Sequence, residues 1–282
     1  MDYLYKALKR EVGVVEAEAP LLAAVEKPRV QPVAPILCER ALAPIAAGCG
    51  KPVAFPVNLE RLFALRTENM AKERVEVLEQ YRVLRSRVLE IMRMQKMRTL
   101  MVTSAVSGES KTTTSINLAL ALSQVQGIKV LLVDTDLRKA GIAEVLGVPY
   151  ETGLQDYLRS PVPLSDLILQ FTDSLSFIPS GGIDQSSSEL LHSDAMHALV
   201  KQVQSYFDFI IFDAPPLFPI ADARVTANLV DAILFCVHTG RTPESIVSEA
   251  VALVRSKLIG TVRVGREVRT SNMYYYSHGS KE

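Results

Sequence analysis

One stretch limits what this chain can fold into more than any other: Thr103-Ser-Ala-Val-Ser-Gly-Glu-Ser-Lys111-Thr-Thr-Thr114. An apolar run, Leu100-Met-Val102, precedes it, and a helix-like run, Ile116-Asn-Leu-Ala-Leu-Ala-Leu122, follows it. A strand, a polar loop with Lys-Thr and then a helix is the layout of a phosphate-binding loop. Loop N–H groups and the helix N-terminus offer partial positive charge to a polyphosphate. Ser107, Gly108, Glu109, Ser110, Lys111, Thr112 and Thr113 are therefore candidate nucleotide-binding residues. Lys111 adds a full charge against the terminal phosphates, and the Thr112 hydroxyl can reach a magnesium ion. The match to G-x-x-x-x-G-K-[ST] is incomplete. Ala105 and Ser110 stand at its two glycine positions, and Gly108 is the loop's only glycine. An ordinary polar strand-to-helix loop could also read this way, so the weight falls on carboxylates further along.

Those carboxylates close buried-strand runs. Ile128-Lys-Val-Leu-Leu-Val133 ends in Asp134, with Asp136 and Arg138 just beyond, and Phe209-Ile-Ile-Phe212 ends in Asp213. Leu175 to Ile178, Ala232 to Val237 and Ile259 to Val264 read as further strands. Helical segments lie between them, the clearest being Ser188 to Tyr206 and Pro243 to Leu258. Short apolar strands alternating with helices predict an α/β fold, a mostly parallel sheet covered by helices on both faces. Ligands collect at the carboxyl ends of such strands, which is where the loop and the aspartates would converge. Isolated strand-end aspartates are usually caps or turn formers. Several of them following a phosphate loop point instead to Mg²⁺ ligands and a proton acceptor.

The rest of the chain frames this unit. Residues 2–10 can form a short amphipathic helix, and about 12 to 57 holds seven of the fifteen prolines without a sustained period. We read 1–58 as a short helix plus a flexible linker, 59–269 as the P-loop domain and 270–282 as a flexible tail. From Leu59 to Met94 the pattern is helical, with Val75, Leu78, Tyr81, Leu84, Val88 and Ile91 spaced by three and four. Glu79, Arg82 and Arg85 share one face of that helix, for which an intrahelical ion pair is the plainest explanation. With 31 basic and 31 acidic residues, no electrostatic footprint argues for nucleic-acid binding. Cys38, Cys49 and Cys236 are too few and scattered for a disulfide framework or zinc site. The charged N-terminus is unlike a signal peptide, and no apolar run reaches the ~18–20 residues that span a bilayer, so a cytoplasmic location is expected.

Together these motifs resemble the bacterial tyrosine kinases of capsule and exopolysaccharide loci, the BY-kinases, from about Glu79 through Gly240 and again in the tail. Their Walker A form matches Ser104, Gly108, Glu109, Lys111 to Thr113 and Asn117-Leu-Ala119. Walker A′, D-x-D-x-R, matches Asp134, Asp136 and Arg138. Walker B matches Asp213 and Pro215-Pro216, with the family's following aspartate at Asp222, and the S-E-L-L-x-S segment appears as Ser188 to Ser193. The resemblance implies a P-loop fold and phosphoryl transfer from ATP with Mg²⁺. Thr112, Asp134 and Asp213 would hold the metal, and Asp134 or Asp136 would take the phenol proton. It further implies ring-like self-association through Glu79, Arg82 and Arg85, and autophosphorylation in trans at Tyr274, Tyr275 and Tyr276. The implied partners are a membrane polysaccharide co-polymerase that activates the kinase at the inner face of the plasma membrane, and a tyrosine phosphatase.

This chain departs from the family's pattern at Ser110, where glycine is usual. It departs again in Gly260-Thr-Val-Arg-Val264, where the family has an asparagine at the last position and where Arg263 is odd for a core strand. Two alternatives stay open. One is a MinD/ParA-like ATPase, a class that shares the Walker elements but carries a signature lysine five residues before the loop lysine, where this chain has Val106. The other is a degenerate nucleotide-binding regulator of a membrane co-polymerase.

Overall fold

In the computed structural model, which describes residues 51–52, 70–148, 152–160, 162–182, 187–219 and 221–265, the apolar runs become the centre of one sheet. Its strands are β1 (Lys51–Pro52), β2 (Thr99–Ser104), β3 (Val130–Asp134), β4 (Leu169–Gln170), β5 (Leu175–Ile178), β6 (Phe209–Asp213), β7 (Ala232–His238) and β8 (Leu258–Val264). They lie in the order β1-β4-β5-β3-β6-β2-β7-β8. Every pairing is parallel except β4 with β5. The strand carrying the phosphate loop, β2, sits between β6 and β7. Asp213 therefore ends the strand directly beside it, and Asp134 ends the next.

Side chains alternate between two apolar layers, which is why these strands read as unbroken hydrophobic runs. Leu100, Val102, Val130, Leu132, Ile211 and Leu234 enter one layer. Met101, Leu131, Val133, Ile210, Phe212 and Phe235 enter the other. The first layer is covered by α1 (Met70–Met94) and α2 (Lys111–Ser123). The stripe expected on α1 faces inward, with Tyr81, Leu84 and Val88 buried and Leu78 and Ile91 half-buried. The elements between β3 and β8 cover the second layer, with one exception. They are α3 (Gly141–Leu146), α4 (Leu154–Arg159), α5 (Leu164–Leu167), α6 (Ser187–Leu191), α7 (Asp194–Val203), α8 (Asp222–Leu229) and α9 (Glu244–Val254). Of these, α3 instead packs Ile142, Ala143 and Leu146 into the first layer.

Several expectations are refined. The segment from Ser188 to Tyr206 is two helices, because Ser193 caps α7 by accepting a hydrogen bond from the Met196 amide. Arg263 is accommodated because β8 is an edge strand, which leaves the side chain half-exposed. Cys236 is a buried core thiol. Among the described residues no helix is long and apolar enough to cross a membrane. The N-terminal helix at 2–10, most of the proline-rich stretch, residues 59–69 and the tail with Tyr274, Tyr275 and Tyr276 lie outside the described residues.

Candidate active site

The loop between β2 and α2 is held by its own residues and by its neighbours. The Thr103 hydroxyl donates to the Pro215 carbonyl at 2.8 Å, and the Leu217 and Phe218 amides donate to the Ser104 and Ala105 carbonyls. The Pro-Pro segment after β6 is thereby laced to the start of the loop. Gly108 (φ 85°) and Ser110 (φ 58°) both take left-handed backbone. Glycine adopts that region without steric cost and serine does not. The position where glycine is usual thus keeps a glycine-like conformation with a serine in it.

Glu109 has a role the sequence did not reveal. Its buried carboxylate accepts from the Val106 amide at 3.1 Å, the His238 amide at 3.2 Å and the Thr242 hydroxyl at 2.6 Å. The side chain is a brace between the loop and the end of β7, so a contribution of Glu109 to a nucleotide comes from its backbone.

Asp213 is the hub of the crevice. One carboxylate oxygen accepts from the Thr112 hydroxyl at 2.7 Å and the other from the Ser115 hydroxyl at 2.8 Å. Ser115 was not among the residues singled out, although a position one turn after Lys111 and Thr112 on a helix was the available signal. Asp134 lies directly opposite Asp213 in the β3–β6 register. Its two oxygens accept from the backbone amides of Asp136 at 3.1 Å and Ile142 at 3.2 Å.

These carboxylates are electrostatically stressed. Burial, then the charge of Asp213, pushes the Asp134 pKa well above the usual carboxylate range. Burial pushes Asp213 up to about 6, against the pull of Lys111 and the bonds from Thr112 and Ser115. Asp136 is also raised by burial, with Lys111 and Lys139 pulling it back. A cleft with three buried acids and one buried lysine fits a divalent cation bound beside the Thr112 hydroxyl. Thr112 and Asp213 are hydrogen-bonded and Asp134 ends the adjacent strand, so these are the residues that would hold it.

Arg138 is placed at the rim, where its Nε donates to Asp222 at 2.9 Å. Asp222 also accepts from the Ser187 and Ser188 hydroxyls. Burial alone would raise its pKa, but these donors outweigh burial and hold it below the usual range. The S-E-L-L segment is thus fastened to Walker A′ through Asp222. Glu79 and Arg82 form an exposed pair at 2.9 Å on α1. Arg85 turns away from them and donates to the Ala121 carbonyl of α2 at 3.1 Å. Within one chain, then, Arg85 bonds the neighbouring helix while Glu79 and Arg82 pair on the surface.

Comparison with known proteins agrees with this geometry. Residues 97–239 match the AAA domain family. The tyrosine-protein kinase YwqD of Bacillus subtilis is 33% identical over 208 residues, covering 72% of this chain and 87% of that protein. The kinase domain of Escherichia coli tyrosine kinase ETK superposes with a TM-score of 0.65 at 28% identity, covering 72% of this chain and 81% of that one. The septum site-determining protein MinD of Pyrococcus horikoshii reaches a TM-score of 0.50 at 24% identity, over 62% of this chain and 72% of that one, a likeness of fold alone. With its phosphate loop, paired strand-end aspartates and these relatives, the chain belongs to the bacterial tyrosine-protein kinases of the capsule and exopolysaccharide type.

Proposed function

We propose that this kinase transfers the γ-phosphoryl group of ATP to its own Tyr274, Tyr275 and Tyr276 in trans, and through that cycle regulates capsule or exopolysaccharide polymerisation and export. The observation that carries the reading is the register pair Asp134 and Asp213, with the Thr112 hydroxyl 2.7 Å from the latter. Lys111 and the loop amides from Ser107 to Thr113 hold the phosphates, with Arg138 at the rim. Magnesium, bound by Thr112, Asp134 and Asp213, supplies charge neutralisation across the phosphates.

A phenol of pKa about 10 is a poor nucleophile at neutral pH, so a base is needed. Asp136 is the better acceptor of its proton. Asp134 is assigned to the metal and both its oxygens already bond backbone amides, whereas burial raises the Asp136 pKa and so suits it to take a proton.

The exposed Glu79–Arg82 pair supports a role for that face in docking on a neighbouring subunit of a ring-like homo-oligomer. Tyr274 follows Val264 by about ten residues, a span of up to ~30 Å at full extension, long enough to reach a neighbour's crevice. Phosphorylated tyrosines carry about −1.5 to −2 charges each and are repelled by the acids of the crevice. Phosphorylation then expels the tail and loosens the ring. We place the protein in the cytoplasm, recruited to the membrane by an activating polysaccharide co-polymerase and reset by a tyrosine phosphatase.

The test is to incubate the purified chain with ATP and Mg²⁺ and to map phosphotyrosine by mass spectrometry. Label is expected at residues 274–276 and is expected to vanish in Lys111→Met. ATP hydrolysis without phosphotyrosine would instead support the MinD/ParA-like reading. A Lys111→Met variant that labels like wild type refutes the site.

A further inference from the structure

The phosphate loop leaves an electrostatic problem unsolved. Between Thr103 and Ser110 the only charged side chain is Glu109, and Val106 stands where MinD/ParA-like ATPases carry their signature lysine. Lys111 is then the loop's one cation, set among Asp134, Asp136 and Asp213, for a ligand that is itself polyanionic.

A second cation stands over the loop from another element. A methyl group built on Gly108 would lie 3.7 Å from Arg241 Nη1 and 3.9 Å from its Cζ. Arg241 lies in the turn between β7 and α9, so its guanidinium reaches across the crevice's edge onto the loop. The turn is held in place from both sides. Glu109 bonds the His238 amide before it and the Thr242 hydroxyl after it, and Gly240 (φ 78°) lets the Arg241 amide donate back to the His238 carbonyl at 3.3 Å. The same carboxylate that braces the loop therefore anchors the residues flanking the arginine.

Arg241 itself is exposed, and among the described residues no carboxylate pairs with it. The loop's own acid, Glu109, has its oxygens committed to three other donors. An exposed arginine is ordinarily a solvated surface charge whose loss changes nothing. Here its neighbours are fixed, its head lies on the phosphate loop, and its planar fork suits two oxygens of one phosphate.

We propose that Arg241 is a phosphate-binding residue of this kinase, the second cation on the bound nucleotide's polyphosphate, delivered by the same chain and braced by Glu109. This rests on the nucleotide reading of the P-loop given above. The brace gives the burial of Glu109 a purpose: it sets the distance between the loop and the arginine.

The experiment compares wild type, Arg241→Gln and Arg241→Lys as full chains. It measures the Kd of a non-hydrolysable ATP analogue with Mg²⁺ at low and high salt, the autophosphorylation rate, and the melting temperature without nucleotide. Arg241→Gln is expected to weaken analogue binding about five- to twentyfold at low salt, with a smaller loss at high salt. Its melting temperature without nucleotide should match wild type, since among the described residues nothing bonds the side chain. Arg241→Lys should recover part of the affinity, as a point charge without the fork. If Arg241→Gln binds the analogue and autophosphorylates like wild type, Arg241 is a surface charge and the proposal is overturned, while the kinase reading stands. A wild-type chain that binds no analogue overturns both.

Discussion

Replacing Asp213 by asparagine should make the protein more stable and inactive, and the stability gain should depend on pH in a defined way. The Asp213 carboxylate is buried and pushed up to about 6 from an ordinary value of 3.8. Between those values the folded state holds a proton that the unfolded chain has released. Folding stability therefore falls as pH rises from about 4 through 6, and the deficit persists above. At about 1.4 kcal/mol per pKa unit, a shift of roughly two units corresponds to an order of 1–3 kcal/mol at pH 8. Asn keeps the shape and removes the charge. It can accept from Thr112 and donate to Ser115, whose own proton already has the Lys111 carbonyl at 3.0 Å as an alternative acceptor. No buried partner is stranded. For a domain of this size, Asp213→Asn should raise the melting temperature by about 3–8 °C at pH 8 and by little at pH 4.5. Thermal unfolding without nucleotide, at pH 4.5, 6 and 8, measures this, and autophosphorylation at pH 8 should be lost. Because Asp213 is coupled to Asp134, the difference between the two proteins reports the pair. A variant less stable than wild type at pH 8, or a gain that persists unchanged at pH 4.5, would refute the electrostatic reasoning.

Three further substitutions test the supports of the site. Ser110→Gly should stabilise the fold by about 0.5–1 kcal/mol, because φ of 58° strains a serine but not a glycine; urea denaturation would show it, and a loss of stability would argue against strain. Glu109→Ala should cost about 2–4 kcal/mol and weaken nucleotide binding together, since it strands the Val106 and His238 amides; a stable variant with normal affinity would remove the brace from the account. Arg85→Ala should lower the melting temperature through its lost bond to Ala121, whereas Arg82→Ala should change sedimentation without changing melting; the reverse pattern would exchange their roles.

The central strands were legible because a parallel sheet buried on both faces demands continuous apolar runs, and Leu100 to Val102 or Phe209 to Phe212 can be little else. Lys111, Thr112, Asp134 and Asp213 were legible because strand ends in such a sheet point at one crevice. The short helices α3, α4 and α5 left no usable period in four to six residues. Their placement depends on packing that the local sequence does not encode. The tertiary partners of side chains were hidden for the same reason. Glu109 reads as a loop residue near phosphates, yet its bonds to His238 and Thr242 cross about 130 positions. Arg85 reads as one of three equivalent charges, yet its acceptor lies on another helix.

The stress in the crevice has a consequence for how the protein should respond to its ligand. Asp134, Asp136 and Asp213 have raised pKa values because burial leaves their negative charge poorly compensated. A bound cation removes that deficit in the folded state only, so binding and stability are linked. Above pH 6, where Asp213 is ionised, Mg²⁺ relieves repulsion as it binds. Near pH 4.5, Asp213 holds a proton that the metal must displace, and both the affinity and the stabilisation fall. Part of what burying these charges costs the unliganded fold at neutral pH is thus the same free energy that favours the metal. Phosphate charge brought into the crevice without a cation should work the other way, so in the proposed cycle a phosphorylated tail and a metal-free crevice would repel each other.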